Sequence, residues 1–234
     1  MRKNVILYGG KFDPIHTGHV QAALLGLDKV ANGFGEPSDL WFLPTYSTDH
    51  GQIDLEESHR RLEMLDNVVN TVLKDWPNIS VCTYELDKAN GAGTYAVVKD
   101  LRRLCPDINF KFLIGADQAY TIRQWRNSRK LVKTIPFVIV PRSGTYNMTG
   151  ASWFHDTPHT FIRRSKSGGD KISSTSIRQA FRASRDVLVA NGSHGHLFPH
   201  TYKYIMDHNL YNGAKGGEKL SSFKGYFEGY ISQG

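Results

Sequence analysis

The 234-residue sequence lacks the features that define several common classes of protein. No apolar run approaches the roughly 20 residues of a membrane-spanning helix, which excludes a helical membrane protein. Cysteine is scarce, and the spacing of Cys82 and Cys105 matches no metal or redox motif, so we expect two free thiols in a reducing compartment. The N-terminus shows no cleavage-site pattern, and we therefore expect a cytoplasmic protein.

Two common fingerprints of nucleotide binding, G-x-G-x-x-G and G-x-x-x-x-G-K-[ST], are absent as well. What the sequence does have is a formal net charge of +7, which predicts an anionic partner such as nucleic acid or a phosphorylated small molecule. Apart from a cluster at Arg163, Arg164 and Lys166, the basic residues are scattered along the chain. This scatter favours a site formed by the fold over an extended nucleic-acid track.

Short runs of apolar, β-branched or aromatic residues alternate with helical patterns along the chain. The runs are Val5–Tyr8, Leu40–Leu43, Ile79–Tyr84, Phe110–Ile114 and Phe137–Val140. The alternation predicts an α/β protein, with a Rossmann-like parallel sheet of five to six strands and helices on both faces. We expect one catalytic domain over residues 1–211, followed by a glycine-rich and then aromatic tail over residues 212–234. The aromatic part of the tail predicts packing on its own domain or on a neighbouring subunit.

Helical periodicity appears in five places. It predicts helices at about 20–30, 57–73 and 94–104, in "KISSTSIRQAFR" and in "PHTYKYIMDHNLY". In the second of these helices we expect an inward-facing stripe of Leu62, Leu65, Val69 and Val72. The polar connection before that helix, at about 45–58, is long for this type of fold, which is typical of a binding loop or lid.

The stretch "GGKFDPIHTGH", residues 9–19, joins the first strand to the first helix. Glycines allow close approach of the backbone, and the N-terminus of a helix presents unpaired N–H groups, so this stretch predicts an anion site. His16 and His19 can point at the same oxygen atoms, and Lys11 adds a full charge. By themselves, however, the two histidines could simply cap the helix or pack. A zinc site would need a third ligand, for which no recognisable spacing exists.

A second hydroxyl-rich stretch, "ISSTSIR", precedes a later helix. Ser173, Ser174 and Thr175 offer O–H and N–H donors. Arg178 offers a charged fork that suits phosphate oxygens. Taken alone, this stretch could be an ordinary helix cap.

The two stretches together resemble the signatures of the H-x-G-H nucleotidyltransferase superfamily. Its phosphate loop corresponds here to Gly9, Gly10, Lys11, Phe12, Asp13, Pro14, His16, Gly18 and His19. Within the superfamily, residues 4–211 are most similar to nicotinate- or nicotinamide-mononucleotide adenylyltransferases. "FLIGADQ", Thr94, Trp125, "RLEML" and the closing "YIMDHNLY" fit that family.

The resemblance implies a role for each matching residue. Catalytic roles fall to His16, His19, Arg178 and Lys11. ATP binding falls to Gly9, Gly10, Phe12, Gly18, Gly115, Asp117, Ser173, Ser174 and Thr175. Mononucleotide binding falls to Trp125, Thr94, Asp13 and Arg61, with Trp125 stacked on the pyridine ring and Asp117 on the ribose of the adenosine. From the residues alone, Trp125 could be a core residue, Asp117 a turn former and Arg61 a solvated charge on a helix.

Two features depart from the family pattern. Lys11 stands where the family usually has Thr or Ser, and "STDHGQ" replaces the usual Pro-Pro-His-Lys of the loop after the second strand. The connection around His194 and His196 is also longer than in the family, and we expect both to be polar loop residues.

The implied function is transfer of the adenylyl group of ATP to nicotinate or nicotinamide mononucleotide, with Mg²⁺ carried by the ATP phosphates. The implied partners are these nucleotides, without membrane or nucleic acid, and the aromatic tail suggests a homo-oligomer. One alternative is an adenylyltransferase for another phosphorylated acceptor, such as pantetheine phosphate. Another is a non-catalytic nucleotide sensor or nucleic-acid-binding protein on the same fold.

Overall fold

The computed structural model of the chain describes residues 3–35, 37–48, 51–52, 55–88, 92–141, 153–162, 172–183 and 196–211. Three features singled out in the sequence lie outside these residues: the tail 212–234, the basic cluster at 163–166, and His194.

A six-stranded parallel sheet forms the centre of the fold. Its strands are β1 (Lys3–Gly10), β2 (Ser38–Pro44), β5 (Ile79–Val81), β6 (Ile108–Gly115), β7 (Phe137–Val140) and β8 (Thr160–Phe161), in the order β5-β2-β1-β6-β7-β8. All five predicted strands are confirmed. The strand predicted at 79–84 ends at Val81, and β8 was missed because two residues carry no readable period.

Eight α-helices lie between or after these strands within the described residues. They are α1 (Thr17–Phe34), α2 (Leu55–Thr71), α3 (Tyr84–Lys88), α4 (Thr94–Leu104), α5 (Ala116–Thr121), α6 (Ser128–Thr134), α7 (Ser174–Ala183) and α8 (Pro199–Asp207). Short 3₁₀ turns lie at Ile122–Gln124 and Trp153–His155. The connection between β2 and α2 contains a small antiparallel pair, β3 (Ser47–Thr48) and β4 (Gly51–Gln52).

The helices cover both faces of the sheet, as predicted. Along β1, Ile6 and Tyr8 face a cluster that includes residues of α1, α2, α7 and α8. Val5 and Leu7 face a second cluster, which includes residues of α4, α5 and α6. This alternation follows from the two-residue period of a strand, because successive side chains point to opposite faces.

The inward face of α2 differs from the predicted stripe. Of the predicted stripe, Leu65 is buried and Val69 packs partly buried against the core, but Val72 is 42% exposed and lies beyond the end of α2. The buried positions of α2 are Ser58, Arg61, Met64, Leu65 and Val68. The apolar residues of α2 permitted both choices of face. The packing of α2 in the folded protein decides between them. It buries Arg61, and a hydrophobic pattern does not assign a charged residue to the core.

The order of the strands fixes where a ligand can bind. The chain moves outward from β1 to β2 and β5, then returns to the other side of β1 to form β6. In open α/β sheets such a reversal leaves a crevice at the carboxyl ends of the two strands concerned. Here those ends are Gly9–Gly10 of β1 and Gly115 of β6, all three predicted to bind ATP. Among the described helices, none is long and apolar enough to cross a membrane.

Candidate active site

The phosphate loop runs from the end of β1 to the start of α1, where His16 is the N-cap. The carbonyl of His16 accepts from the backbone N–H of His19 at 2.9 Å, and the N–H of His16 donates to Nδ1 of His19 at 3.3 Å. The two imidazoles stack with centroids 3.7 Å apart, and both side chains are buried. The histidines therefore do cap the helix, and the same contacts hold the ring pair at its N-terminus.

The glycines of this loop are required by their neighbours. A Cβ on Gly9 would lie 2.6 Å from Cζ of Phe112, and one on Gly10 would lie 2.9 Å from Cζ of Phe12. Phe12 has a left-handed φ of 49° and is 1% exposed, with its ring edge-on to that of His19. The side chain of Phe12, a residue predicted to bind ATP, is therefore inside the protein, where its ring packs against that of His19.

The second hydroxyl-rich stretch opens α7 and contacts the phosphate loop directly. Oγ of Ser174 donates to the carbonyl of Pro14 at 3.0 Å, and Nη1 of Arg178 donates to the carbonyl of Asp13 at 2.6 Å. A Cβ on Gly18 would lie 3.1 Å from Ile172, the residue before this stretch. Ser173 caps α7 through Ser176, and Thr175 is exposed beside Arg178. The two predicted anion-binding stretches are thus brought together.

The charges of the loop form one network around Asp13. Its Oδ2 lies 3.3 Å from Nζ of Lys11 and 3.6 Å from Nη1 of Arg178, and its Oδ1 accepts from the hydroxyl of Tyr211. Lys11 also pairs with Glu57 at 2.8 Å. The Asp13 carboxylate is buried within this network, and its contact with a mononucleotide stays a prediction.

Arg61 requires a correction. We considered it as a ligand of the mononucleotide or as a solvated charge, but it is 1% exposed. Its guanidinium donates to the carbonyls of Lys11 at 2.6 Å and Thr45 at 2.9 Å, and to Oγ of Ser58 at 3.2 Å. Burial lowers the pKa of this guanidinium, and neighbouring acidic groups partly oppose the shift. Arg61 joins the phosphate loop to the connection after β2 from inside the protein.

Glu85, on the short helix α3, was missed by the sequence analysis. It is buried, and its Oε1 accepts from the backbone N–H of Tyr46 at 3.3 Å. Burial raises the pKa of this carboxyl from 4.5 to about 7, although the N–H of Tyr46 and the charge of Arg61 both oppose the rise. A single glutamate after a strand carries no signal of burial, so only the structure could reveal it.

The residues predicted to bind the adenosine ribose and the mononucleotide on this side of the crevice lie at the start of α4, at the end of β6 and on the helices directly after β6. Gly115 is the N-cap of α5, and Asp117 lies in the first turn of that helix. Trp125 follows the 3₁₀ turn, is partly buried, and packs against the second hydrophobic cluster. Thr94 begins α4, directly after Gly93 with its φ of 81°. Trp125 is thus neither a fully buried core residue nor a free surface residue, and Asp117 is helical.

Neither cysteine of the described chain is in a disulfide. Among the described residues, no group of three or more His, Cys, Asp or Glu side chains is arranged to hold a metal ion. His196 begins the short turn that precedes α8.

Comparisons with known proteins agree with this arrangement. The sequence model of the cytidylyltransferase-like family matches residues 7–180. A probable nicotinate-nucleotide adenylyltransferase of Bacillus mycoides is 35% identical over 145 residues, which are 62% of this chain and 71% of that protein. Its counterpart in Geobacillus kaustophilus is 30% identical over 213 residues, covering 90% of this chain and 87% of that protein. The Plasmodium falciparum nicotinic acid mononucleotide adenylyltransferase, solved with NaAD, superposes with a TM-score of 0.71 at 27% identity, covering 89% of this chain and 97% of that chain.

Proposed function

The chain belongs to the cytidylyltransferase-like family and, within it, to the nicotinate-nucleotide adenylyltransferases, and we propose on this basis that its acceptor is nicotinate mononucleotide. It is a nucleotidyltransferase of NAD biosynthesis, which transfers the adenylyl group of ATP to the phosphate of a pyridine mononucleotide and releases pyrophosphate. The choice of nicotinate over nicotinamide is supported by the names of the relatives and by the NaAD bound to the solved neighbour.

The observation that carries the proposal is the meeting of two anion-binding helix starts. Ser174 and Arg178 of α7 bond to carbonyls of the phosphate loop, 160 and 165 residues away in sequence. The stacked imidazoles of His16 and His19 begin the neighbouring helix α1. Two helix N-termini and a guanidinium that converge on one crevice suit a polyphosphate better than a single phosphate group.

In the reaction, an oxygen of the mononucleotide phosphate attacks the α-phosphorus of ATP. A new O–P bond forms, the bond from the α-phosphorus to the bridging oxygen breaks, and pyrophosphate leaves with the electron pair. The protein supplies no nucleophile, because the mononucleotide phosphate is itself the attacking group. The tasks of the protein are to hold two anions together and to stabilise the charge that grows on the phosphate oxygens. We assign His19 to the α-phosphate, with His16 beside it, and Arg178 with the Ser174–Thr175 turn to the β- and γ-phosphates.

The acceptor would bind on the side of β6. A pyridine ring can stack on the partly buried indole of Trp125, and Thr94 can meet the mononucleotide at the start of α4. The ribose of the adenosine would contact Asp117, near the backbone of Gly115. These assignments rest on the family resemblance together with the position of each residue at the carboxyl edge of the sheet.

We propose that Mg²⁺ arrives bound to the phosphates of ATP, where it would neutralise part of their charge. The carboxylate of Asp13 does not fit as its protein ligand, because Lys11, Arg178 and the hydroxyl of Tyr211 already surround both oxygens. The two free thiols support a further proposal, that the enzyme works in the reducing environment of the cytoplasm.

A product assay tests the function. Purified protein is incubated with Mg-ATP and either nicotinate or nicotinamide mononucleotide, and the dinucleotide and pyrophosphate are measured. We expect dinucleotide and pyrophosphate to form in equal amounts. The kcat/KM should be higher for nicotinate mononucleotide than for nicotinamide mononucleotide. Absence of dinucleotide from both substrates, with ATP still bound in calorimetry, would instead indicate a nucleotide sensor.

A further inference from the structure

The Asp13 carboxylate meets donors from three separate parts of the chain. Lys11 precedes it in the phosphate loop, Arg178 comes from α7, and Tyr211 lies in the turn after α8, 198 residues away. The Asp13 side chain is 7% exposed, against 36% for Lys11 and 22% for Arg178. The anion is therefore inside the protein, while the two cations retain a surface that a ligand can reach.

The three contacts differ in length. The hydroxyl of Tyr211 lies 2.5 Å from Oδ1, which is a short hydrogen bond to a charged acceptor. Lys11 and Arg178 lie 3.3 Å and 3.6 Å from Oδ2, well beyond the roughly 2.7–2.9 Å of a closed ion pair. Arg178 donates instead to the backbone carbonyl of Asp13. The carboxylate thus lies near both cations without forming a close pair with either.

We propose that Tyr211 and Asp13 are positioning residues for ATP: the tyrosine hydroxyl fixes the carboxylate, and the carboxylate keeps Lys11 and Arg178 in place for the triphosphate. The inference rests on the proposed function. Asp13 offsets the repulsion between the two cations. Lys11 also has a closer partner, Glu57 at 2.8 Å, so loss of the Asp13 charge should affect Arg178 more than Lys11. An untethered carboxylate, in contrast, could rotate and form close pairs with them, in competition with the phosphates.

The surroundings of Tyr211 suit this role. Its ring lies 6.1 Å from that of Phe181 on α7, so the helix that carries Arg178 also supports the tyrosine. Burial and the charge of Asp13 raise the pKa of the Tyr211 hydroxyl, which therefore remains a neutral donor at physiological pH. The role does not extend to the acceptor, because all three contacts are made to Asp13, a residue of the phosphate loop.

The test compares two tyrosines near the end of the described chain. Tyr211→Phe removes the hydroxyl that bonds to Asp13, and Tyr204→Phe removes a hydroxyl that bonds to Glu63 on α2. Each variant loses one O–H to a carboxylate, but Asp13 is buried and Glu63 is exposed, so denaturant unfolding of both variants is measured alongside the kinetics to separate a loss of stability from a change in KM. We expect Tyr211→Phe to raise the KM for ATP about tenfold, with less than a twofold change for the mononucleotide. Tyr204→Phe should leave both constants unchanged.

Asp13→Asn gives a second, independent arm. The amide N–H₂ group would face two cations as a donor, so this variant should also raise the KM for ATP and leave that for the mononucleotide unchanged. In the double variant, the two effects on the KM for ATP should be clearly less than multiplicative, because the tyrosine acts through the carboxylate. A rise in the KM for the mononucleotide alone would overturn the proposal and return Asp13 to the acceptor site.

A binding measurement separates this inference from the function itself. Calorimetry with inorganic triphosphate requires no turnover, and we expect Tyr211→Phe to bind it about tenfold more weakly than the wild-type protein. If the wild-type protein formed no dinucleotide but this difference held, the proposed function alone would fail. If both proteins bound triphosphate equally, or neither bound it, the positioning role would be overturned.

Discussion

In the part of the site that we propose for the triphosphate, residues 9–19 and 172–178, charged side chains and backbone carbonyls from distant segments are joined by hydrogen bonds. The part that we propose for the acceptor, residues 94 and 115–125, rests instead on apolar packing, with Ala116, Ala119 and Ile122 buried in the cluster against which the partly buried Trp125 packs. These parts are called the triphosphate half and the acceptor half below. A polyphosphate requires fixed donors and charges, whereas an aromatic ring requires a flat apolar surface. Substitutions in the two halves should therefore have separable effects.

The largest effect is expected in the triphosphate half, from His19→Ala. Loss of one preorganised donor to the reacting phosphate should lower kcat by about 10²–10³, with a smaller change in the KM for the mononucleotide. Steady-state kinetics measure this effect, with His200→Ala, at an exposed position of α8, as the control. Near-normal turnover of a folded His19→Ala protein would remove the histidine from the mechanism.

The next largest effect is expected from a substitution of Arg61, which tests whether this residue stabilises the triphosphate half or contacts the substrate. Arg61→Met leaves buried carbonyls without their donor, so the free energy of unfolding should fall by about 3 kcal/mol. Denaturant unfolding measures the loss, and Arg60→Met tests an exposed arginine of the same helix, for which we expect a change below about 0.5 kcal/mol. If Arg61→Met were fully stable and had only a raised KM for the mononucleotide, Arg61 would belong to the acceptor half.

A pH-dependent effect should arise at Glu85, which accepts from the backbone N–H of Tyr46 in the connection after β2. Its pKa is about 7 in the folded protein and 4.5 for the ordinary group, so between these values the native state holds a proton that the unfolded state has released. The free energy of unfolding therefore falls as the pH rises through this window, by about 3 kcal/mol from this group, and the cost is fully present above pH 7.

Glu85→Gln removes this titration. Its stability relative to the wild-type protein should rise between pH 4.5 and 7.5, as measured by denaturant unfolding at a series of pH values. Glu56→Gln, at an exposed position of α2, is the control, for which we expect no such trend. A constant difference between Glu85→Gln and the wild-type protein across the window would mean that Glu85 is charged throughout.

The smallest effect should come from the acceptor half. Trp125→Ala removes the stacking surface, so the KM for the mononucleotide should rise about tenfold while that for ATP changes little. The matched control is Trp76→Ala, because Trp76 is 43% exposed and lies outside both halves of the site. An equal rise in both KM values would indicate that the two halves are not separable.

Much of this arrangement was predictable from local patterns. The period-2 and helical repeats indicated the fold class, all five longer strands and the five main helices. The phosphate loop and the stretch before α7 were recognisable because their donors lie close together in sequence, where spacing carries information. Short elements such as α3 and β8 were missed because they are too brief to show a period.

The two arginines show where such patterns stop. Both Arg61 and Arg178 lie on helices and were predicted to contact a nucleotide, and the neighbours of neither residue in sequence indicate how deeply it is buried. In the structure, Arg61 is 1% exposed, whereas the side chain of Arg178 is 22% exposed. The difference depends on which helix face packs against the sheet, and for α2 the apolar pattern permitted the wrong choice.

By itself, the sequence determined the α/β class, because strand and helix patterns alternate along the chain. It also determined the two anion-binding helix starts and the type of chemistry they suit, because each start lies within a dozen consecutive residues. Only the tertiary structure decided which charges balance one another. Asp13 with Tyr211, Arg178 with the carbonyl of Asp13, and Arg61 with that of Lys11 are pairs separated by 198, 165 and 50 residues. Such pairs have no period or spacing, since the packing of whole helices and strands brings them together.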